Sequence, residues 1–251
     1  PFIEYHIDIL SKLSMKWHWH IVEGVAELKH DTAWSVSNGG VIDTSLHRYG
    51  LSNDGTTEYL DKLEAKFPNQ VTIYRKPKGI FWEGKREMIS APLSNINEES
   101  LLWQLDCDEL WTKELIESMQ SMFSADPLRT AAWFWCTYFV GPKKVISSRN
   151  CYAQNPNQEW LRVWRFKPKM FWASHEPPVL AEAIGPIENQ QYINVGTKTP
   201  FNHAETEKAG LVFQHMSYVI EEQVRFKERY YGYKGAVEKW KALQVDTNSC
   251  L

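Results

Sequence analysis

The segment LLWQLDCDELW, residues 101–111, places three carboxylates within four positions directly after an apolar run. Asp106 and Asp108 are two residues apart, so in an extended segment their side chains point the same way and can address one cation, or one cation and a ribose hydroxyl. Hard carboxylate oxygens suit Mg²⁺ or Mn²⁺, which in turn bridge phosphate oxygens. A solvated acidic loop, or the acid-rich start of a helix at DELWTKEL, would explain the same residues without a metal.

The stretches around this segment alternate between helix and strand patterns. Alternating or β-branched residues predict strands, and apolar residues at helical spacing predict helices. Such alternation predicts an α/β fold with a mostly parallel sheet, helices on both faces and a C-terminal elaboration that ends in a helix. The predicted strands cover residues 16–24, 71–76, 101–105 and 131–141, and the predicted helices cover residues 2–10, 56–67, 84–93, 113–123 and 218–243.

The composition and net charge of the chain limit the classes of molecule that it could bind. A chain of 251 residues with a formal charge of −3 predicts one domain with a substantial core and argues against nucleic acid, which needs a concentrated basic surface. Four cysteines without a CxxC pair predict reduced thiols in a cytoplasmic protein. The longest apolar run is far shorter than the roughly 20 residues that span a bilayer, which predicts no transmembrane segment and leaves room for peripheral membrane contact. Twelve tryptophans favour a carbohydrate ligand, because aromatic faces stack on sugars.

Four stretches in order resemble the nucleotide-sugar-dependent glycosyltransferases with the GT-A fold, especially the family 2 group. FIEYHIDIL resembles the helix after the first nucleotide-binding strand, which would itself lie ahead of Pro1, and IVEG resembles the end of the second strand. NDGTTEYLDKL resembles the DGT turn of that family, here after a long insertion, and GKREMISAPL with LLWQLDCDELW resembles the helix and strand that lead into the DxD motif. The resemblance implies one GT-A domain over 1–251, in which 1–140 binds the nucleotide sugar and 141–251 binds the acceptor.

The resemblance also implies roles for individual residues on the donor side. GT-A enzymes often supply a late histidine as a further metal ligand, which gives that role to His215. The other implied roles are donor base and ribose for Glu23 and Asp54, base or diphosphate for Lys85 and Arg86, ribose or donor sugar for Asp106, and the metal for Asp108. Basic residues in 224–235, among them Lys227, could neutralise the diphosphate or form a solvated helix face.

The second half of the chain offers residues for the acceptor side. An inverting transferase needs a carboxylate that takes the proton from the acceptor hydroxyl, and Glu176, with His175 beside it, is the predicted base. The family usually has an acidic pair at this point, so the His-Glu pair leaves open both the base and the inverting outcome. Trp111, Trp172 and Tyr218 are the predicted acceptor platform.

The predicted function is therefore transfer of a sugar from a nucleoside-diphosphate sugar to a glycan, lipid-linked or other acceptor, assisted by Mn²⁺ or Mg²⁺ in polysaccharide synthesis. Two alternatives stay open. A metal-dependent phosphoesterase or nucleotidyltransferase also uses clustered carboxylates, although it usually gathers two metals. A non-catalytic protein could bind the nucleotide sugar or a carbohydrate in the same cleft without turnover.

Overall fold

The computed structural model describes residues 2–29, 32–149 and 159–245. The helices and strands begin and end close to the predicted positions in the first half of the chain. None of the described helices combines the length and the apolar character that a membrane span requires. The described helices are α1 (Phe2–Leu10), α2 (Ala33–Ser37), α3 (Thr56–Lys66), α4 (Lys85–Ser90), α5 (Lys113–Ala125), α6 (Val195–Lys198), α7 (His203–Lys208), α8 (Glu221–Tyr231) and α9 (Ala236–Val245).

The strands form several small sheets. Between residues 2 and 149 they are β1 (Trp19–Val22), β2 (His47–Arg48), β3 (Leu51–Ser52), β4 (Val71–Tyr74), β5 (Ser100–Trp103), β6 (Glu109–Leu110), β7 (Ala131–Trp133), β8 (Trp135–Gly141) and β9 (Lys144–Ser147). From residue 159 onward they are β10 (Leu161–Phe166), β11 (Phe171–Ser174), β12 (Val179–Ile184), β13 (Gln191–Asn194) and β14 (Val212–His215).

The pairing of these strands confirms a mixed α/β fold but not a mostly parallel sheet. Among the described strands, β1 pairs in parallel with β4, and β8 pairs in parallel with β14. The remaining pairings in the sheets β5–β10–β7, β11–β12–β13, β6–β14–β8–β9 and β2–β3 are antiparallel. The short connections β8–β9, β11–β12 and β12–β13 explain part of this difference, because a short turn can only join antiparallel strands.

Local sequence explains where the helices near the candidate site begin and what they bury. Thr112 accepts a hydrogen bond from the Leu115 backbone N–H at 3.3 Å and so caps α5, whose Met119 and Phe123 are buried. The predicted helix over 218–243 is instead two helices. Gly232 ends α8 with a φ of 71°, and a Cβ there would lie 2.6 Å from the Asn38 carbonyl oxygen, so the chain turns at a residue that only glycine suits.

The predicted strand over 131–141 is also divided, into β7 and β8 on either side of Phe134. β7 joins β10, whereas β8 joins β14, so this one apolar run serves two sheets. Phe134 is fully buried between them. Of the four cysteines, Cys107 is a free thiol and Cys136 is buried in β8, whereas residues 151 and 250 lie outside the described part of the chain.

Two strand edges face one gap without pairing. Among the described strands, β1 pairs with β4 alone and β5 pairs with β10 alone. The gap between them is lined by residues 17–20 and 100–105 and belongs to a large cleft. We call this gap the edge slot. The acidic segment lies just beyond it, at the carboxyl end of β5.

Candidate active site

The acidic segment forms a turn between β5 and β6 rather than the extended strand end that was predicted. The Glu109 backbone N–H donates to the Asp106 carbonyl oxygen at 3.0 Å and closes this turn. Its three carboxylates therefore enter different surroundings. The Asp106 side chain is 49% exposed, that of Asp108 is 25% exposed, and that of Glu109 is 0% exposed.

Glu109 is held by Arg162 of β10. The Arg162 guanidinium donates from Nε at 2.9 Å and from Nη2 at 2.7 Å to Glu109 Oε1, and both side chains are buried. The same Nη2 lies 3.7 Å from Asp106 Oδ2. Burial lowers the pKa of Arg162, but the neighbouring carboxylates of Glu109 and Asp106 more than offset this, so its pKa is raised and the group stays charged. Arg162 thus neutralises the buried end of the acidic turn.

Sequence reasoning missed Arg162. Its only signal is a charged residue inside the apolar strand LRVWRF, where Leu161, Val163 and Trp164 are all buried. A charge at such a position needs a buried partner. That partner cannot be read from the sequence because Glu109 is far along the chain and reaches Arg162 only through the fold.

Strand pairing brings Asp108 beside His215. β6 and β14 pair with Glu109 opposite His215, and the Met216 backbone N–H donates to the Asp108 carbonyl oxygen at 2.7 Å. His215 Nε2 then lies 3.5 Å from Asp108 Oδ1. Burial alone raises the pKa of Asp108, but the hydrogen bond and charge of His215, together with the charge of Lys227, lower it below its ordinary value. The carboxylate is thereby kept ionised.

A divalent cation fits this pair of residues. Asp108 offers a carboxylate and His215 an imidazole nitrogen, while Asp106 lies at the other end of the turn. Mg²⁺ is usually held by one or two carboxylates and completes its shell with water and substrate phosphates, and imidazole also suits transition metals. Within residues 2–29, 32–149 and 159–245, no group of three or more His, Cys, Asp or Glu side chains could hold a metal by itself. A cation here would therefore complete its shell with oxygens from water or from a substrate.

Two lysines line the same cleft as these carboxylates. Lys227 of α8 hydrogen-bonds to Ser217 Oγ, and its Nζ lies 4.5 Å from the centre of the Tyr218 ring. Lys85, at the start of α4, donates to the Tyr231 hydroxyl at 2.7 Å. Burial lowers the pKa of Lys227. The negative charges of Asp108 and Asp106 partly offset this lowering, whereas repulsion from Lys85 adds to it. The two ammonium groups are therefore close enough to repel each other, which favours an anion between them.

The other basic residues of 224–235 behave differently from Lys227. Arg225 pairs with Glu221 and Arg229 pairs with Asp43 on the outer side of α8. Lys227 alone among these basic side chains lines the cleft. The prediction of a solvated helix face is thus confirmed for the two arginines. Lys227 instead faces the acidic turn.

One cleft contains most of the predicted site residues. Its volume is about 2250 Å³, which includes the edge slot. Glu176 lies on the turn between β11 and β12, with an exposed side chain and a cis peptide bond to Pro177. The predicted residues that line the cleft are Lys85, Asp106, Asp108, Trp111, Trp172, His175, Glu176, His215 and Tyr218.

Comparison of the chain with protein-family models, with curated proteins and with solved structures gave no match. The cleft is lined by an acidic turn, a neighbouring imidazole and two half-buried lysines.

Two of the three predicted acceptor residues are core residues in this structure. Trp111 is 2% exposed and stacks on Phe213 with ring centres 4.4 Å apart, so its face is covered. Trp172 is 6% exposed and meets the edge of Trp164 at 5.0 Å. Neither ring offers an open face to a sugar. Tyr218 is half-buried and lines the cleft.

Three predicted donor-binding residues do not line the cleft. Glu23 is 5% exposed and accepts hydrogen bonds from Arg75 Nε at 2.6 Å and from the Thr57 hydroxyl at 2.5 Å. Asp54 is exposed and accepts from the Thr56 backbone N–H at 3.1 Å at the start of α3. Arg86 is exposed on α4. In this structure Glu23 and Asp54 stabilise the β1–β4 region.

Proposed function

We propose that the protein transfers a sugar from a nucleoside-diphosphate sugar to a carbohydrate or glycolipid acceptor, on a domain of the GT-A type. The observation that carries this proposal is the arrangement of opposite charges in one cleft. Asp106, Asp108, Lys85 and Lys227 all line this cleft, and the charge of Lys227 interacts with both aspartates and with Lys85. A diphosphate leaving group suits this arrangement, because its oxygens are stabilised both by a carboxylate-bound cation and by ammonium groups.

On the donor side, Asp108 and His215 would hold Mn²⁺ or Mg²⁺, which when bound would stabilise the charge of the departing diphosphate. Lys85 and Lys227 would bind diphosphate oxygens through their ammonium groups. Asp106 is half-exposed, and it would accept a hydrogen bond from a ribose or sugar hydroxyl. Arg162 would keep the turn that carries both aspartates in place.

On the acceptor side, Glu176 would act as the general base. Its exposed carboxylate can accept the acceptor hydroxyl proton while the acceptor oxygen bonds to the anomeric carbon and the bond from that carbon to the diphosphate breaks. The charge of Glu176 acts on Lys85, so the carboxylate and the lysine share one part of the cleft. This direct displacement would invert the anomeric centre. A retaining reaction would need no such base.

A phosphoesterase or nucleotidyltransferase fits the cleft less well. Two-metal chemistry needs further carboxylates around the aspartates. The nearest candidate, Glu109, is fully buried and held by the Arg162 guanidinium. The donors that remain, Asp106, Asp108 and His215, suit one cation completed by substrate phosphates.

Ligand-induced stabilisation tests the donor site. We expect a nucleoside diphosphate at about 100 times its dissociation constant, with Mn²⁺ present, to raise Tm by about 5–10 °C. Asp108→Asn should abolish this shift, because it removes the carboxylate charge beside His215. Asp61→Asn, at an exposed carboxylate that pairs with Arg75, is the matched control and should keep the shift. If no UDP or GDP compound stabilises the protein with either Mn²⁺ or Mg²⁺, the proposal fails.

Product analysis separates the three candidate functions. A transferase releases nucleoside diphosphate and glycosylates an acceptor, a phosphoesterase releases inorganic phosphate, and a binding protein gives a thermal shift without any product. We expect Glu176→Gln to lower the transfer rate by about 100-fold or more while the thermal shift with nucleoside diphosphate and Mn²⁺ is kept. Transfer that is unchanged in Glu176→Gln would remove Glu176 from the mechanism.

A further inference from the structure

Three aromatic rings form a nearly parallel group in the cleft. The rings of Trp34, on α2, and Tyr231, on α8, have centres 5.5 Å apart and planes at 5° to each other. The Tyr233 ring centre lies 6.0 Å from that of Trp34 and 5.4 Å from that of Tyr231, at interplanar angles of 21° and 26°. All three side chains line the cleft. We call these three residues the aromatic platform.

The rings of the aromatic platform are partly open. Parallel rings with centres this far apart are offset, so each covers only part of its neighbour's face. Trp34 and Tyr233 are each 36% exposed, and Trp34 is the most exposed tryptophan of the described residues. Trp111 and Trp172 are instead packed against other rings of the core. The platform therefore offers the open aromatic surface that those two tryptophans lack.

The backbone holds the two parts of the platform together. The Val41 N–H, shortly after α2, donates to the Arg229 carbonyl oxygen of α8 at 2.9 Å. Gly40 comes so close to the Tyr230 carbonyl oxygen that a Cβ there would clash with it. The segment that carries Trp34 is thus fixed beside the end of α8. A surface that is fixed before the ligand arrives loses little entropy on binding.

Two groups of the proposed transfer reaction lie beside the platform. Lys85 Nζ is 4.9 Å from the centre of the Tyr231 ring and donates to the Tyr231 hydroxyl at 2.7 Å. The charge of Glu176 acts on both Lys85 and Tyr233. Burial raises the pKa of Tyr233 to about 12, and the charge of Glu176 adds to the rise. The Tyr233 hydroxyl therefore stays protonated and can donate a hydrogen bond.

A pyranose ring matches this combination of groups. Its C–H face stacks on an aromatic ring, while the hydroxyls at its edge donate and accept hydrogen bonds. A nucleobase also stacks on aromatic faces, but it carries no hydroxyl for a general base to deprotonate. The nearness of Glu176 thus favours the acceptor sugar over the base of the donor.

We propose that Trp34, Tyr231 and Tyr233 form an acceptor subsite, in which a pyranose ring stacks on the aromatic platform beside Glu176. The Tyr233 hydroxyl would hydrogen-bond to the edge of that ring. The acceptor role rests on the proposed transferase function, whereas the binding of a pyranose does not. The subsite would select acceptors in which the attacking hydroxyl belongs to a pyranose, either in a glycan or in the head group of a glycolipid.

Binding of simple pyranosides tests the platform on the full chain. The probes are methyl β-D-glucopyranoside, methyl β-D-galactopyranoside and methyl α-D-mannopyranoside, observed by saturation-transfer difference NMR. We expect at least one of them to bind with a dissociation constant of about 1–10 mM. Trp34→Ala should weaken this binding by about 10-fold or more, because it removes the most exposed ring. Tyr233→Ala should weaken it too, so the test does not depend on the folding of one variant.

Tyr192→Ala is the matched control. Tyr192 is 59% exposed and packs against Phe171 outside the cleft, so its removal should leave pyranoside binding unchanged. No saturation transfer to any of the three pyranosides would overturn the proposal. Equal binding by the parent chain, Trp34→Ala and Tyr233→Ala would overturn it as well, since the sugar would then bind elsewhere.

The rise in Tm with nucleoside diphosphate and Mn²⁺, measured on the same variants, separates this proposal from the proposed function. Trp34→Ala and Tyr233→Ala should keep that rise, because their rings would contact the acceptor. If both variants lose the rise but keep pyranoside binding, the platform holds the donor base and the proposal is wrong. If the parent chain binds a pyranoside through Trp34 but shows no rise with any nucleoside diphosphate, the transferase function and the acceptor role both fail.

Discussion

Two strand ends of this molecule carry carboxylates at comparable places but use them differently. At the carboxyl end of β1, Glu23 is buried against Arg75 and Thr57. At the carboxyl end of β5, three carboxylates have different surroundings. Glu109 is buried against Arg162, Asp108 is partly buried beside His215, and Asp106 is half-exposed in the cleft.

The difference lies in how far each carboxylate is satisfied by the protein itself. Every carboxylate oxygen of Glu23 has a protein donor, so a ligand could bind there only by breaking an existing contact. Asp106 and Asp108 keep oxygens that face the cleft, and the charges of Arg162 and Lys227 offset their repulsion. We infer that a carboxylate at a strand end is available for binding only where other charges stabilise it without occupying it.

The largest effect is expected from breaking the buried pair at the β5 end. Arg162→Met leaves the Glu109 carboxylate buried without a counter-charge, which should lower the free energy of unfolding by about 3–5 kcal/mol. Chemical denaturation measures this loss. The double variant Arg162→Met with Glu109→Leu should recover a large part of it, since no charge is then left buried. If the double variant is as unstable as the sum of the two single variants, the pair does not act as a unit.

A smaller loss of stability is expected at the β1 end. Glu23→Ala removes the partner of Arg75 and of the Thr57 hydroxyl, and it should lower the free energy of unfolding by about 2–3 kcal/mol. Arg75 keeps its contact with Asp61, so the guanidinium is not left wholly unpaired. Asp61→Asn is the matched control because that carboxylate is 56% exposed, and it should cost at most about 1 kcal/mol.

Ligand binding is a second way to compare the carboxyl ends of β1 and β5. Glu23→Ala, studied below its own Tm, should keep the stabilisation by nucleoside diphosphate and Mn²⁺, whereas Asp108→Asn should lose it. If both variants lose the ligand shift, Glu23 binds the donor despite its contacts, and the distinction between the two strand ends is wrong.

Sequence patterns located most elements of the first half because each is determined by neighbouring residues. The periodicity of α1, α3 and α5 and the β-branched run of β4 are local signals, and the structure confirms them. The pairing of strands is not a local property. Glu23 is held by Arg75, which is 52 residues away in the sequence, and Glu109 is held by Arg162, which is 53 residues away.

The same limit explains what the sequence showed of the candidate site. The clustering of Asp106 and Asp108 was visible because both lie in one short segment, and His215 was suggested by the resemblance to a family. Lys227 was one of several basic residues in 224–235 considered for the diphosphate, and only the fold separates it from the arginines that pair on the outer side of α8. Arg162 was missed, because its partner Glu109 is distant in the sequence. Trp111 was assigned to an acceptor platform because composition cannot distinguish a core tryptophan from an open one.

The smallest effect is expected at Asp54, the other acid near the β1 end. The hydroxyl and backbone N–H of Thr56 lower the pKa of Asp54 below its ordinary value. The unfolded chain therefore takes up the proton first as the pH falls, so the stabilisation is present at neutral pH and is lost below about pH 4. Asp54→Asn should cost about 0.5–1 kcal/mol at pH 7, because Asp54 holds the N–H of the first residue of α3.

Urea denaturation at pH 7 and at pH 3 checks this sign. The difference between the parent chain and Asp54→Asn should shrink at pH 3, because the lowered pKa of Asp54 makes its contribution to stability fall as the pH falls. Asp8→Asn on α1, at an exposed carboxylate that pairs with Lys12, is the control for a general charge effect. A difference that stays constant with pH would mean that Asp54 acts through its shape alone. If Asp54→Asn instead loses the rise in Tm with nucleoside diphosphate, Asp54 binds the donor. The carboxyl end of β1 would then have a role in binding as well as in stability.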